Sequence, residues 1–137
     1  MTPKQIQLVQ ASWRQVLPIA DAAAELFYSR LFELDPTLRK LFRGELQEQG
    51  GKLMEMIDLA VQSLARTDAL RLGLRALGRR HAGYGVRDEH YDTVSRALLW
   101  ALGKGLGAAF TPEVEQAWAA AYGFLAATMK DAANLPA

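Results

Sequence analysis

Apolar residues recur every three or four positions along most of the chain, which is the spacing of one face of an α-helix. The apolar positions of the first segment are Ile6, Val9, Trp13 and Val16. Thr2 precedes this segment as a capping residue, Pro3 suits the first helical position, and Gln5 completes a capping box. The pattern therefore predicts a first helix that opens at Thr2 and breaks at Pro18.

The same spacing continues through five further segments and predicts that each is helical. The inward positions are Ala24, Phe27, Tyr28 and Leu31 in the second segment; Leu38, Leu41 and Phe42 in a short turn after Asp35 and Pro36; Gln49, Leu53, Met56, Ile57 and Ala60 in the third; Leu70, Leu74, Leu77 and His81 in the fourth; Tyr91, Val94, Leu98 and Leu102 in the fifth; and Val114, Trp118, Tyr122, Leu125 and Met129 in the last.

Polar, glycine and proline residues divide these segments. The second helix is predicted from about residue 21 to residue 34, and residues 43–48 form a polar connection. Thr67 and Asp68 are predicted to cap the fourth helix, and Gly83 and Gly85 to end it. The helices differ in length, so the pattern favours an irregular all-α fold over a symmetric bundle.

Composition supports this interpretation. The chain has 23 Ala and 21 Leu against 6 Val and 3 Ile, and Ala and Leu lose least in a helix. Its 137 residues suit one domain, 1–137. There is no cysteine, which excludes thiolate catalysis and iron–sulfur clusters. A net charge of +1 gives no reason to expect a nucleic-acid or membrane partner, and we expect a cytoplasmic protein.

His81 is the one unusual residue on an inward face. Leu74 and Leu77 precede it at helical spacing, so its imidazole is expected in an apolar wall where its acceptor nitrogen needs a partner. A haem iron is one such partner. By periodicity alone, a core histidine bonded to a neighbouring side chain is the more frequent outcome. No second inward histidine or cysteine lies nearby for a zinc site, and His90 is expected to face solvent.

The residues around His81 resemble the proximal region of globins. The segment from residue 77 to residue 86 reads LGRRHAGYGV and is followed by Tyr91, Val94 and Leu98. Residues 31–36 read LFELDP, and the pair of Leu41 and Phe42 follows. The likeness is greatest to bacterial flavohaemoglobin haem domains, single-domain bacterial globins and neuroglobin, and it covers nearly the whole chain. It implies a globin fold with haem b sandwiched between helices.

The resemblance also implies roles for individual residues. His81 corresponds to the proximal iron ligand, Phe42 to the ring on the haem face, and Gln49 and Leu53 to residues on the distal side. Tyr28 corresponds to a tyrosine beside bound oxygen. Leu77 and Val86 would touch the haem, and Tyr91 would help hold the proximal histidine. Lys52 and Arg80 are candidates for the haem propionates, although solvated surface charge is the commoner role for either residue alone.

Tyr28 and Gln49 suit an oxygen-binding pocket because bound oxygen carries partial negative charge. A phenol O–H and an amide N–H both donate hydrogen bonds, and each charge-assisted bond is worth about 1.5–3 kcal/mol. Two donors predict strong retention of oxygen, with a smaller gain for carbon monoxide. Without the resemblance, the favoured interpretations are a core tyrosine bonded to the backbone for Tyr28 and a solvated residue at a helix start for Gln49.

Two functions of different classes follow from the resemblance. One is a nitric oxide dioxygenase, which turns oxygen and nitric oxide into nitrate and needs a separate reductase. The flavohaemoglobin network also uses a glutamate on the last helix, and residues 130–134 contain none. The other function is an oxygen store, carrier or gas sensor without turnover. A structural helical protein without a cofactor is a third alternative.

Overall fold

The computed structural model describes residues 1–42 and 44–134, apart from the side chain of Thr67. Within these ranges the helices are α1 (Pro3–Val16), α2 (Ala20–Leu34), α3 (Leu46–Gln62), α4 (Thr67–Gly83), α5 (Asp88–Leu106) and α6 (Pro112–Ala133). Three short 3₁₀ turns lie at Leu17–Ile19, Pro36–Leu41 and Gly107–Ala109. The described residues include no strand, so the predicted all-α fold is confirmed.

Hydrogen-bonded caps begin two of the helices, and the cap of α1 is the one that the sequence predicts. The Thr2 hydroxyl accepts from the Gln5 N–H at 3.1 Å, and the Gln5 side chain accepts from the Thr2 N–H at 3.0 Å. The Thr111 hydroxyl accepts from the Val114 N–H in the same way at the start of α6. The predicted cap at Thr67 is wrong, because α4 already includes Thr67 and Arg66 is its capping residue. Arg43, in the predicted polar connection, lies outside the described residues.

The packed core is centred on the pair of α1 and α6. Trp13 and Trp118 are almost fully buried, and their ring centroids lie 6.0 Å apart. Each indole N–H has a partner: Trp118 donates to the Ser12 hydroxyl at 2.8 Å, and Trp13 donates to an Asp58 carboxylate oxygen at 2.9 Å. The second bond ties α1 to α3.

The helices pack in a way that leaves α3 and α4 separate. Helix α4 lies along α6, and α2 lies along both α5 and α3, whereas α3 and α4 have no comparable packing among the described residues. Several apolar side chains near these two helices are only half-buried; these are Phe42, Leu53, Leu77 and Val86. We infer from both observations that a cleft separates α3 from α4.

Two predicted side-chain positions are wrong. His90 is not at the surface: it is 7% exposed, and its Nδ1 accepts from the Arg87 N–H at 3.0 Å at the start of α5. Arg87 has no acceptor on its side chain, so the His90 ring forms only the reciprocal half of a capping box, in which the N3 side chain accepts from the N–H of the capping residue. Met56 was expected to face inward but is 40% exposed, while Met54 is buried instead. None of the helices in the described ranges is both long and apolar enough to cross a bilayer.

Candidate functional site

His81 lies in the last turn of α4, with its imidazole partly buried. Its Nδ1 lies 3.0 Å from the carbonyl oxygen of Leu77, one turn earlier on the same helix. A carbonyl oxygen only accepts, so this contact requires the proton on Nδ1. The Nε2 atom of the neutral ring then carries the lone pair that binds a metal.

The charge state of His81 also suits a ligand. Burial lowers the pKa of His81 below its usual range, the bond to the Leu77 carbonyl partly opposes this shift, and the neighbouring Arg80 charge lowers the pKa further. The imidazole is therefore neutral near pH 7, which is the form that coordinates metals.

The segment after α4 is held close to His81. Gly85 adopts a φ of +90°, a conformation that residues with a side chain rarely adopt, and it turns the chain beyond the helix. The Val86 N–H then donates to the His81 carbonyl oxygen at 3.0 Å. This turn brings half-buried Val86 beside the end of α4, next to the helix face that carries His81 and Leu77.

An aromatic cluster lies on α2 and on the segment that follows it. The Tyr28 ring centroid is 5.1 Å from that of Phe27, 5.3 Å from that of Phe42 and 6.0 Å from that of Phe32. Phe32 and Phe42 also meet edge to face at 5.6 Å. Phe32 was not among the predicted site residues. Its position four residues after Tyr28 is the signal that indicated a shared helix face.

Helices α2 and α3 cross closely beside this cluster. A Cβ built on Gly50 would lie 3.0 Å from the Cβ of Ala24 and 3.6 Å from Cε2 of Tyr28. The small residues Ala24 and Gly50 therefore allow the two helices to approach closely. Half-buried Gln49 is the residue before Gly50, so α3 carries it next to the helix crossing at which Tyr28 lies.

The Tyr28 side chain is buried among these groups, with 5% of its surface exposed. Burial raises the pKa of Tyr28 to about 12, because the charged phenolate loses more from burial than the neutral phenol. Its hydroxyl therefore keeps its proton at all physiological pH values and is a hydrogen-bond donor.

The remaining predicted site residues lie in different surroundings. Leu53 is half-buried on α3, one turn after Gln49. Lys52 and Arg80 are exposed, and neither forms a salt bridge within the described ranges. This exposure is compatible with both roles named above for Lys52 and Arg80: solvated surface charge, and contact with a haem propionate at the rim of the cleft.

Tyr91 is not bonded to His81, contrary to what the resemblance implies. The Nδ1 of His81 is occupied by Leu77, and the buried Tyr91 hydroxyl has no hydrogen-bond partner among the described residues. Tyr91 instead contributes its backbone carbonyl, which accepts from the Tyr122 hydroxyl at 2.7 Å. Lys130 lies over the Tyr91 ring at 5.6 Å.

The donor set around His81 restricts what could be held there. The described residues contain no group of three or more His, Asp or Glu side chains placed to bind a bare metal ion. A metal at His81 would have to bring most of its own ligands, as an iron porphyrin does. A single neutral imidazole on the wall of an apolar cleft fits such a flat cofactor.

Comparison with known proteins agrees with this geometry. The globin family model matches residues 25–129. The chain is 32% identical to neuroglobin of Tetraodon nigroviridis, over 94% of the chain and 90% of that protein. It is 33% identical to the flavohaemoprotein of Xylella fastidiosa over 95% of the chain, but it spans only 33% of that longer protein.

Two solved structures share this fold. One is an engineered carbene transferase made from a Rhodothermus marinus protein provisionally named a nitric oxide dioxygenase; it is 30% identical, with a TM-score of 0.87 over 97% of the chain and 93% of that protein. A hexacoordinated haem protein from an anhydrobiotic tardigrade, 19% identical, has a TM-score of 0.88 over 98% of the chain and 96% of that protein, and so shares the fold. The family match and the curated relatives together show that this chain belongs to the globin family.

Proposed function

We propose that this globin holds haem b through Nε2 of His81 and binds diatomic gases, above all oxygen, in the cleft between α3 and α4. The observation that carries the proposal is the bond between His81 Nδ1 and the Leu77 carbonyl oxygen. It fixes the imidazole tautomer and orientation that a proximal ligand needs. When bound, the haem supplies an iron with one open position for oxygen, nitric oxide or carbon monoxide.

The protein residues on the other side of the cleft would select among these gases. The Tyr28 hydroxyl stays protonated and donates to the partial negative charge of oxygen, and the Gln49 amide N–H is the second donor. Carbon monoxide carries less charge and gains less from either donor. Phe42, Leu53, Leu77 and Val86 supply the apolar walls that exclude water from the gas.

We further propose that the bound oxygen reacts with nitric oxide. One nitric oxide, one dioxygen and one electron give one nitrate ion, so each turnover consumes one electron from outside this chain. Two observations support this choice over storage. The Tyr28 hydroxyl is a protonated donor on a buried side chain, which would slow oxygen release, and the chain is similar to a solved protein provisionally named a nitric oxide dioxygenase. An external flavin reductase would supply the electron.

The test begins with the haem-loaded, reduced and oxygenated protein. Rapid mixing with nitric oxide, followed by ion chromatography, is expected to give one nitrate for each haem. Tyr28→Phe should release oxygen before it reacts and lower the nitrate yield, whereas the matched change at exposed Tyr84, Tyr84→Phe, should not. If nitric oxide is consumed without formation of nitrate, the proposed dioxygenase activity is overturned. Fast oxygen release from the unaltered protein would favour an oxygen carrier.

A further inference from the structure

The α4 segment concentrates positive charge. Five of the chain's 16 basic residues, all of them arginine, lie between positions 66 and 80, together with one of its 15 acidic residues. This segment therefore carries four net positive charges, five minus one, while the whole chain carries +1. The rest of the molecule is net negative, so the positive charge of this protein is concentrated on α4.

Part of this charge lies on one exposed face, which we call the arginine face and define as Leu72, Arg75 and Arg79. The three residues follow one another at helical spacing, and Leu72 is 71% exposed. Neither Arg75 nor Arg79 forms a salt bridge within the described residues. Arg71, at the edge of this face, is directed instead over the Phe124 ring at 5.6 Å.

The arginine face lies on the same helix as His81 but on its other side. Arg79 precedes His81 by two residues, which is a little over half a helical turn. A helix with its side chains is about 10–12 Å thick. A protein docked on this face would therefore lie about one helix diameter from the His81 imidazole. The covalent bonds of α4 would join the docking face to the imidazole.

We propose that the arginine face docks an acidic, flavin-containing reductase that delivers the electron required by the proposed function, on which this inference rests. In that step the reduced flavin loses one electron and ferric haem iron gains it to become ferrous; no bond forms or breaks. Complementary charge accelerates such encounters by about 10- to 1000-fold at low salt.

The chemistry of the face favours a protein over a polyanion. The face begins at the exposed Leu72 and continues with Arg75 and Arg79, and protein interfaces combine apolar contacts with enriched arginine. A nucleic-acid backbone offers phosphates for the arginines but no apolar surface to cover Leu72. A protein with a small apolar patch surrounded by carboxylates satisfies both features.

The experiment measures reduction of the ferric, haem-loaded protein by reduced flavodoxin, an acidic flavoprotein, with carbon monoxide present to mark the ferrous product. The test variant is Arg75→Glu with Arg79→Glu. The matched control is Arg14→Glu with Arg96→Glu, which makes the same charge change at exposed positions of α1 and α5. Reduced riboflavin, a small molecule without a protein surface, serves as the reductant that needs no docking.

The test variant is expected to lower the second-order rate constant with flavodoxin about 10-fold or more at low ionic strength, with the difference shrinking as salt is added. The control variant should change that constant by less than about 2-fold, and riboflavin should reduce all three proteins at equal rates. The proposal is overturned if flavodoxin reduces both variants equally slowly, or if it reduces neither of them more slowly than the unaltered protein. It is also overturned if riboflavin reduces the test variant more slowly than the other two proteins.

Two further arms separate this proposal from its alternatives. If a DNA duplex or phosphatidylserine vesicles bind more tightly than flavodoxin, and the test variant abolishes that binding, the face serves a polyanion and the reductase proposal fails. Nitrate formation by riboflavin-reduced, oxygenated protein tests the proposed function independently of docking. If nitrate forms but flavodoxin reduces the test variant at the unaltered rate, only the docking proposal fails. If flavodoxin reduces the test variant more slowly but no nitrate forms, only the proposed dioxygenase activity fails.

Discussion

Gly78 of α4 lies directly against the backbone of Met129 on α6. A Cβ built on Gly78 would lie 2.7 Å from the Met129 Cα and would also overlap the Met129 carbonyl oxygen. These are backbone atoms of a buried helix, so they cannot move aside as the end of a flexible side chain does. The contact fixes how closely α4 approaches α6, and thereby the position of the helix that carries His81.

Gly78→Ala should therefore destabilise the protein by about 1–3 kcal/mol, the usual range for an overpacked core. Gly73→Ala is the matched control on the same helix, because nothing lies within 4 Å of a Cβ at Gly73. That change should stabilise the protein by about 0.5–1 kcal/mol through helix propensity. Urea unfolding measures both variants, and equal effects would show that α4 does not depend on close contact at Gly78.

His81→Ala should abolish the haem spectrum of the protein, because the described residues around position 81 offer no other imidazole in the cleft. Free imidazole should restore the spectrum by occupying the space that the side chain leaves. The control is His90→Ala, which removes a buried capping ring at the start of α5. It should cost about 1 kcal/mol of unfolding free energy while haem is retained. A normal haem spectrum in His81→Ala without imidazole would contradict the assignment.

Helical periodicity predicted most of the fold and much of the site, because one helix face determines what is buried. The inward assignment of Tyr28, the partial burial of Gln49 and the position of His81 follow from spacing alone. The contact of Ala24 with Gly50 was also predictable, since small residues at a helix crossing permit close approach.

The parts that were missed depend on contacts between distant segments or on local competition for hydrogen bonds. His90 was expected at the surface because it lies near the start of a helix, yet its ring is buried and accepts from the N–H of Arg87, the capping residue of α5. Gly78 gave no sequence signal, because its partner Met129 lies on another helix. The bond between His81 and Leu77 competes with the bond that Tyr91 was expected to make.

Tyr91→Phe tests that competition. Because the Tyr91 hydroxyl is buried without a partner among the described residues, its removal should raise the unfolding free energy by about 1 kcal/mol. Haem loss from the ferric protein, measured by transfer to a scavenging apoprotein, should change by less than about 2-fold. Haem loss accelerated about 10-fold or more would instead show that Tyr91 supports His81 once haem is bound.

Tyr28→Phe should speed oxygen release from the reduced, haem-loaded protein. One charge-assisted hydrogen bond is worth about 1.5–3 kcal/mol, which corresponds to a release rate about 10- to 150-fold higher. Stopped-flow displacement of oxygen by carbon monoxide measures this rate. Tyr84→Phe, at a tyrosine that is 67% exposed, should release oxygen at the unaltered rate. Equal rates in Tyr28→Phe and the unaltered protein would remove Tyr28 from the gas site.

Tyr28 should also make stability depend on pH in the alkaline range. Burial raises the pKa of Tyr28 to about 12, whereas an unfolded tyrosine titrates near 10.0. Between these values the unfolded chain releases its proton first and binds fewer protons than the folded protein, so the free energy of unfolding falls as pH rises, by up to about 1.4 kcal/mol per pH unit. The contribution is fully present below about pH 9 and decreases as the pH approaches the folded pKa.

The measurement is urea unfolding of the unaltered protein and of Tyr28→Phe at intervals from about pH 8 to about pH 11. Other buried tyrosines, such as Tyr122, titrate in both proteins, so their effect cancels in the difference between the two curves. That difference should be constant up to about pH 9 and should then turn against the unaltered protein as its unfolded Tyr28 ionises. A difference that stays flat to pH 11 would mean that the Tyr28 hydroxyl reaches solvent and is not held in the aromatic cluster with Phe32 and Phe42.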